Sequence, residues 1–443
     1  MIGADSEKPE LPEPSSGGES RTQSGLPPAA TIVDRDESGQ PSIMISAGDL
    51  SGDQHAAKII AELKKEYPGL KVWGLGGPDL EKVGAELLFR SENFAGIGIF
   101  NLINKFPLAT RIRATLLAEL SKRRPSCILL VDFGGFNVNF ATAARKLCPE
   151  IQQVYFISPQ VWGSRPWRAN VIAKCVRKIL VIFPFEQDIY RKRGLEAHFV
   201  GHPMADNFAD VDPAAAKAEL CRKLQLDPEK PIVGIFPGSR GNEVRNFTPI
   251  LMRAASWLRQ SRPEVQFVMS QANSKVGELI YDSIIKMHAL PLIGSTVKLV
   301  NREDNALLMA ASDILWTKSG TITLEAAMQE KPMLVFYRGD WLSYCVFLIM
   351  KTVKYVAWPN LLAGKMLVPE LIQLDCRAEQ LVRYTRDWLD VPGARRDITE
   401  GLRAVKSFFE KGNFAANAAA ELSKTLAEAS SQPRIPIEQN AHR

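Results

Sequence analysis

Two short stretches carry residue types that bind an anion, and a third carries an acid placed to move a proton. In the first, the apolar run Ile232-Val233-Gly234-Ile235-Phe236 breaks at Pro237-Gly238-Ser239. It then passes Arg240 and enters helical spacing through Leu251 and Leu258. That is the pattern of a buried strand, a tight turn and a helix N-terminus. The unpaired N–H groups of such a terminus favour an anion. A cation at Arg240 opposes the helix dipole unless a phosphate lies between them; a structural turn with a solvated Arg240 is the alternative. In the second stretch, Ile314-Leu315-Trp316-Thr317 reads as a strand end and Ser319-Gly320-Thr321 as a turn with capping hydroxyls; residues 322–328 start a helix. Glu325, one helical turn beyond Thr321, could accept both hydroxyls of a ribose, or serve only as an acid in a first turn. Two such termini in one half of the chain point to a nucleotide, one holding diphosphate and the other sugar. In the third stretch, a buried strand over 127–131 ends at Asp132, followed by Phe133-Gly134-Gly135-Phe136-Asn137. Sites in an open α/β sheet gather at the carboxyl ends of strands, so Asp132 is a candidate general base, with capping of the next helix as its other role.

These residues need a frame, and the apolar runs supply one. Strands are expected at 42–47, 70–75, 127–131, 153–157, 178–183 and 198–200 in the first half. In the second half they fall at 232–236, 265–270, 296–300, 313–317 and 333–337. Their alternation with helical patterns implies βαβ units and a parallel sheet in each half. After the first strand, Gly48-Asp49-Leu50-Ser51-Gly52-Asp53 reads as a loop, with a helix from His55 to Glu66. It lacks G-x-G-x-x-G, and its two acids would repel a pyrophosphate, so a NAD dehydrogenase is disfavoured. The loop suits a partner rich in hydroxyls, although Asp53 is equally placed to cap a helix. Ser158-Pro159-Gln160-Val161-Trp162-Gly163 is a polar–aromatic loop that could face a ligand. Residues 355–364 form another, whose Asn360 could bind an amide or a phosphate. His198 and His202 are interrupted by Gly201 and followed by Pro203, so they share no helix face and no metal is expected there. Asp34-Arg35-Asp36 and Asp210-Val211-Asp212 are set aside as metal motifs.

At 443 residues and 46% hydrophobic content, the chain has material for two or three cores, and disorder throughout is excluded. The net charge is +6, while residues 1–40 are acidic and rich in Pro, Ser and Gly, so they read as a disordered tail before a more basic body. Such a body suits nucleotides, phospholipid head groups or nucleic acid. Six scattered cysteines without a C-x-x-C read as small core residues in a reducing cytosol. There is no secretory h-region and no apolar run of spanning length. Residues 94–117 crowd Phe94, Ile97, Ile99, Phe100, Leu102, Ile103, Phe106 and Leu108 beside Lys105, Arg111 and Arg113, ahead of Leu117, Lys122, Arg123 and Arg124. That fits either a membrane-interface segment or a cover for a sheet. Residues 341–350 read as an apolar helix, in the core or facing a membrane.

The ordered motifs resemble those of the lipid-A-disaccharide synthases. Ala47-Gly48-Asp49-Leu50-Ser51-Gly52-Asp53 is similar to the family's A-G-E-x-S-G-D, and Val131-Asp132-Phe133-Gly134-Gly135-Phe136-Asn137 to its I-D-x-P-D-F-N. Ser158-Pro159-Gln160-Val161-Trp162, Phe183-Pro184-Phe185-Glu186, Val200-Gly201-His202-Pro203, Pro237-Gly238-Ser239-Arg240, Ser319-Gly320-Thr321 with Glu325, and Pro359-Asn360-Leu361-Leu362-Ala363-Gly364 continue the match over 42–425. Asp49 replaces the family's Glu, and Gly135 stands where the family has its second Asp.

The resemblance implies an α/β chain of two Rossmann-like lobes of the glycosyltransferase-B (GT-B) type. Residues 41–205 would form an acceptor and membrane lobe and 206–375 a UDP-sugar lobe. Residues 376–430 would be helices packing on both, and 431–443 a frayed tail. It implies inverting transfer from UDP-2,3-diacylglucosamine to 2,3-diacylglucosamine 1-phosphate, with no metal or other cofactor. The setting would be the cytoplasmic face of the inner membrane, contacted through 94–117, with no nucleic-acid partner; a homodimer is compatible. Asp132 would be the base, with help from Asp49. Ser51, Asp53, Asn137, Gln160 and Asn360 would join Gly238, Ser239, Arg240, Ser319, Gly320, Thr321 and Glu325 in binding substrates. Other readings are a GT-B enzyme with another acceptor, a nucleotide-sugar epimerase, or a weak or silent membrane-associated nucleotide-sugar binder, the last suggested by Gly135.

Overall fold

The computed structural model describes residues 40–94, 102–163, 166–205, 212–271, 273–286, 296–339, 353–409 and 412–431. The first sheet contains β1 (Ser42–Ala47), β2 (Lys71–Gly76), β3 (Ala85–Arg90), β4 (Cys127–Val131), β5 (Gln152–Phe156), β6 (Lys178–Val181) and β7 (Glu196–Phe199). The second contains β8 (Ile232–Phe236), β9 (Gln266–Gln271), β10 (Val297–Asn301), β11 (Ile314–Lys318), β12 (Met333–Tyr337) and β13 (Glu370–Ile372). Every pairing is parallel, in the orders β3-β2-β1-β4-β5-β6-β7 and β10-β9-β8-β11-β12-β13. Parallel sheets need helices on both faces, which is why β4 and β8 are apolar and buried at every position.

Both strand orders reverse direction once. The chain runs outward from β1 to β3, then restarts on the other side of β1 at β4; likewise β8 to β10, then β11 beside β8. At such a switch the two outgoing loops part and leave a crevice at the carboxyl edge. The register pairs Ala47 with Val131 and Phe236 with Thr317, so the loops after β1 and β4 leave side by side, as do those after β8 and β11.

An aromatic joint connects the two halves at these edges. Phe183, just after β6, stacks on Trp358, between β12 and β13, with centroids 4.3 Å apart. Trp162, after β5, meets Trp358 edge-on at 5.4 Å. The buried Glu186 accepts from Trp162 Nε1 at 2.9 Å and from the Phe183 amide at 3.3 Å, and burial pushes its carboxyl up to about 7. The helix Phe414–Ser431 then returns to the first sheet, where Ala418, Leu422 and Leu426 join its core. Phe414 is fully buried, stacked on Phe156 at 6.0 Å and edge-on to His55 at 5.7 Å. Glu421 on this helix meets the buried Lys178 at 3.0 Å, and Lys178 also meets Glu196 at 3.3 Å.

Several local expectations are corrected. The first helix is Leu50–Glu66, so Ser51 and Asp53 are helical, because Asp49 accepts from the Gly52 amide at 2.6 Å and starts the helix early. Residues 358–363 are a helix, not a loop. The strands β3 and β13 were not anticipated: the first is a half-buried edge strand holding Glu86, the second only three residues long. In the helix Leu102–Arg123, Ile112, Leu116 and Leu120 are buried in the first core, and Leu108 and Leu117 pack on it. Arg123 pairs with Glu86 and Glu119, and Arg124 with Glu150. That much of 94–117 therefore faces protein; residues 95–101 and the side chains of 102–106 lie outside the described residues, as do 1–39, 341–350, Cys345 and 432–443. The other five cysteines are buried and free. No helix among the described residues is long and apolar enough to cross a membrane.

Phe414→Ala removes a fully buried ring and should cost about 3–5 kcal/mol. The expected outcome is a lower melting temperature and selective loss of amide-exchange protection in 412–431.

Candidate active site

The carboxyl edge of the second sheet opens into a cavity of about 170 Å³ lined by Phe236, Pro237, Gly238, Ser239, Glu243, Ser270, Asn305, Lys318, Gly320, Thr321 and Ile322. The two turns singled out in the sequence thus meet in one cavity, as the β8–β11 register requires. The helix Gly241–Ser261 begins here, with Arg240 at its N-cap. The Arg240 amide donates to Glu243 Oε2 at 3.3 Å, and the Arg240 side chain is 80% exposed at the rim. Ser319 donates its amide to Phe336 O and its hydroxyl to Val356 O at 3.2 Å, which ties this turn to the segment leading to Trp358. Glu325 does not line the cavity; it is half-buried, and burial raises its carboxyl against the opposing pull of Arg302.

At the first sheet, Asp132 follows β4 in the left-handed region, φ 43°, as does Phe133 at φ 49°. Two non-glycine residues in that region are strained by on the order of 1–3 kcal/mol each, and the surroundings must hold them there. The Asp132 carbonyl accepts from Tyr155 Oη at 2.8 Å and from Asn137 Nδ2 at 2.9 Å. Phe133, not Asp132, occupies the N-cap of the helix Gly134–Leu147, with no side-chain cap bond. The Asp132 carboxyl is pushed up to about 6, first by burial and then by the negative charge of Asp49, while the Phe133 amide pulls the other way. Close packing locks three loops together. A Cβ on Gly48 would stand 2.1 Å from the Phe133 ring, and one on Gly134 2.2 Å from Pro159.

Three of the residues expected to bind substrate are engaged in structural hydrogen bonds. Asp53 is fully buried, and its carboxylate accepts the amides of Gly77, Asp79 and Leu80 at 2.6, 2.9 and 3.2 Å, capping the helix Pro78–Lys82. Asn137 is fully buried, accepting from Ser46 Oγ and donating to the carbonyls of Ser46, Val131 and Asp132, so it positions the Asp132 backbone. Asn360 accepts from the Leu367 and Val368 amides and donates to Val368 O and Glu370, which leaves nothing for a ligand. Asp49 Oδ1 takes the Gly52 amide and the Ser51 hydroxyl, while Gln160 is exposed on its loop. His202 accepts from the Met204 amide and packs its ring on Phe183 and Phe409; His198 pairs with Glu196. Glu243, Ser270, Asn305 and Lys318 line the cavity without having been singled out. Glu243 carried a signal, since it falls three residues after the N-cap, where a capping-box acid belongs.

The family profile of lipid-A-disaccharide synthetase matches residues 43–422. A lipid-A-disaccharide synthase of Geobacter metallireducens is 33% identical over 371 residues, 84% of this chain and 93% of that protein. Among solved structures, one described as a putative UDP-N-acetylglucosamine 2-epimerase from Listeria monocytogenes aligns with a TM-score of 0.57 at 13% identity, covering 90% of this chain and 100% of that one. The S. aureus MnaA–UDP co-structure aligns at 0.56 and 12%, covering 89% and 99%. At these identities the structural likeness shows a shared fold.

The folded-state value of about 6 at Asp132 lies above the ordinary 3.8. Its ionisation therefore opposes folding above about pH 6, and the penalty fades as pH falls through 6 towards 4. Asp132→Asn should raise stability by about 2–3 kcal/mol at pH 8 and by progressively less below pH 6, read by urea unfolding across that range.

Proposed function

This chain belongs to the lipid-A-disaccharide synthase family, and on that premise we propose that it joins UDP-2,3-diacylglucosamine to 2,3-diacylglucosamine 1-phosphate with inversion, releasing UDP. The family makes it a glycosyltransferase of lipid A biosynthesis. The finer reading is carried by one observation: each sheet delivers its chemistry-bearing loops to its switch point, a cavity between two turns in one and a partly buried acid in the other.

On this reading the lobe of residues 206–375 holds the UDP-sugar and that of 41–205 the acceptor, with 376–430 packing on both. Asp132 accepts the proton of the acceptor 6-hydroxyl as that oxygen attacks the anomeric carbon. The bond to UDP breaks on the opposite face. Amides of the 238–239 and 320–321 turns and the Arg240 guanidinium receive the charge on the departing diphosphate, so the chain itself supplies the electrophilic help. Glu325 takes the ribose hydroxyls. Asp49 acts through its charge, which keeps Asp132 more basic. On this reading the acyl chains of both substrates put the enzyme at the cytoplasmic face of the inner membrane.

A radiolabelled transfer assay with both substrates in lipid vesicles tests this directly: disaccharide 1-phosphate and UDP should appear together, and absence of both would reject it. The rate should fall below about pH 6 as Asp132 takes up its proton. Asp132→Asn should lower transfer by about 10²–10⁴-fold while UDP affinity stays near that of the parent; full activity would remove Asp132 from the mechanism.

A silent nucleotide-sugar binder is favoured by one feature, the glycine at 135. A Cβ there would meet nothing within 4 Å, so a side chain has room. Gly135→Asp lies in the first turn of a helix, where an acid is favourable, and should fold as the parent. If Asp132 suffices as base, transfer should stay within about twofold; a gain of about tenfold or more would show that the missing acid carries the step.

A further inference from the structure

Lys318 ends β11 and lines the same cavity as Gly238, Ser239, Gly320 and Thr321. Its Nζ lies 3.0 Å from Glu243 Oε1, and the two side chains are only 19% and 15% exposed. The other Glu243 oxygen accepts the Arg240 amide, while the Arg240 guanidinium stands 3.8 Å from the carboxylate and mostly in solvent. The cavity wall therefore contains an acid, held by the helix start, where the proposed function places a diphosphate. An unpaired carboxylate there would repel that anion. A lysine already drawn in beside it cancels the repulsion and brings a mobile cation with several donors to the spot.

We propose that Lys318 is a diphosphate ligand, held on Glu243 in the free protein and shared with the diphosphate when UDP or a UDP-sugar binds. This rests on reading the cavity as the UDP site. It also assigns Glu243 a double role: capping the helix Gly241–Ser261 and storing the cation in place. Because Lys318 both contacts the anion and neutralises Glu243, its loss weakens binding by more than one missing contact. Removing the Glu243 charge then restores part of the affinity. Glutamine at 243 serves this purpose, since it retains the capping-box acceptor.

The test measures UDP by calorimetry and uridine by ligand-observed NMR on the full chain, for the parent, Lys318→Met, Glu243→Gln and the double variant. Lys318→Met should weaken UDP about 10- to 100-fold with uridine unchanged. Glu243→Gln should bind UDP at least as tightly as the parent, and the double variant should recover about tenfold over Lys318→Met. Should Lys318→Met fail to fold, the double variant leaves no unpaired buried charge and is compared with Glu243→Gln, against which it should bind UDP about tenfold more weakly. UDP affinity unchanged by loss of Lys318, an equal loss for uridine, or no recovery in the double variant overturns the inference while leaving the UDP reading standing. A parent that binds no UDP overturns both.

Discussion

A parallel strand cannot be followed directly by its neighbour, because the chain must first cross a face of the sheet to return to the same end. Every loop after a strand therefore emerges at one edge, and where the strand order reverses, two of those loops part. Much else in this protein depends on that constraint, applied twice. The β1–β4 switch brings the Asp49 and Asp132 loops together, and the β8–β11 switch brings the Pro237–Arg240 and Lys318–Thr321 turns together. The Phe183–Trp358 stack joins these edges, because Phe183 follows a strand of the first sheet and Trp358 lies beside the Ser319 turn of the second.

Within that frame, and on the proposed function, the two edges solve opposite electrostatic problems. The first keeps an acid basic. It does so by half-burying Asp132, placing the charge of Asp49 near it, and holding its backbone in a left-handed conformation through Asn137 and Tyr155. The second, which on the proposed function receives the diphosphate, is lined by Glu243 and meets that acid with Lys318 at 3.0 Å and with Arg240 at the rim. Much of the polar chemistry near both edges is spent on holding loops rather than on ligands. Asp53, Asn137 and Asn360 each satisfy several backbone groups that would otherwise be buried without partners.

The strands that form the sheet centres were legible, because a short continuous apolar run between turn residues matches a strand buried on both faces. Ser42–Ala47, Cys127–Val131, Ile232–Phe236 and Met333–Tyr337 agree residue for residue. The edge strands Ala85–Arg90 and Glu370–Ile372 were not, since one is only half-buried and the other too short for a period to show. At the site, the glycine-containing turns at 238 and 320 were legible from the break after a strand. Acid and amide side chains are ambiguous in sequence for a common reason: a residue that caps a helix and one that binds a sugar hydroxyl are both short, polar and placed at the start of an element. Only the structure shows whether backbone amides already occupy Asp53 and Asn360. Lys318 escaped notice because in sequence it is simply the last residue of a strand, and its pairing with Glu243 spans two elements far apart in the chain.

The claim on which the functional account rests is that the two switch points form the two halves of one reaction centre. A crystal structure of the protein with UDP and the acceptor lipid measures this most directly. The account predicts the diphosphate against the amides of residues 238–239 and 320–321, with the Asp132 carboxylate within hydrogen-bond reach of the acceptor 6-hydroxyl. A diphosphate seated outside the cavity between Gly238 and Gly320, or an acceptor hydroxyl remote from Asp132, would contradict it.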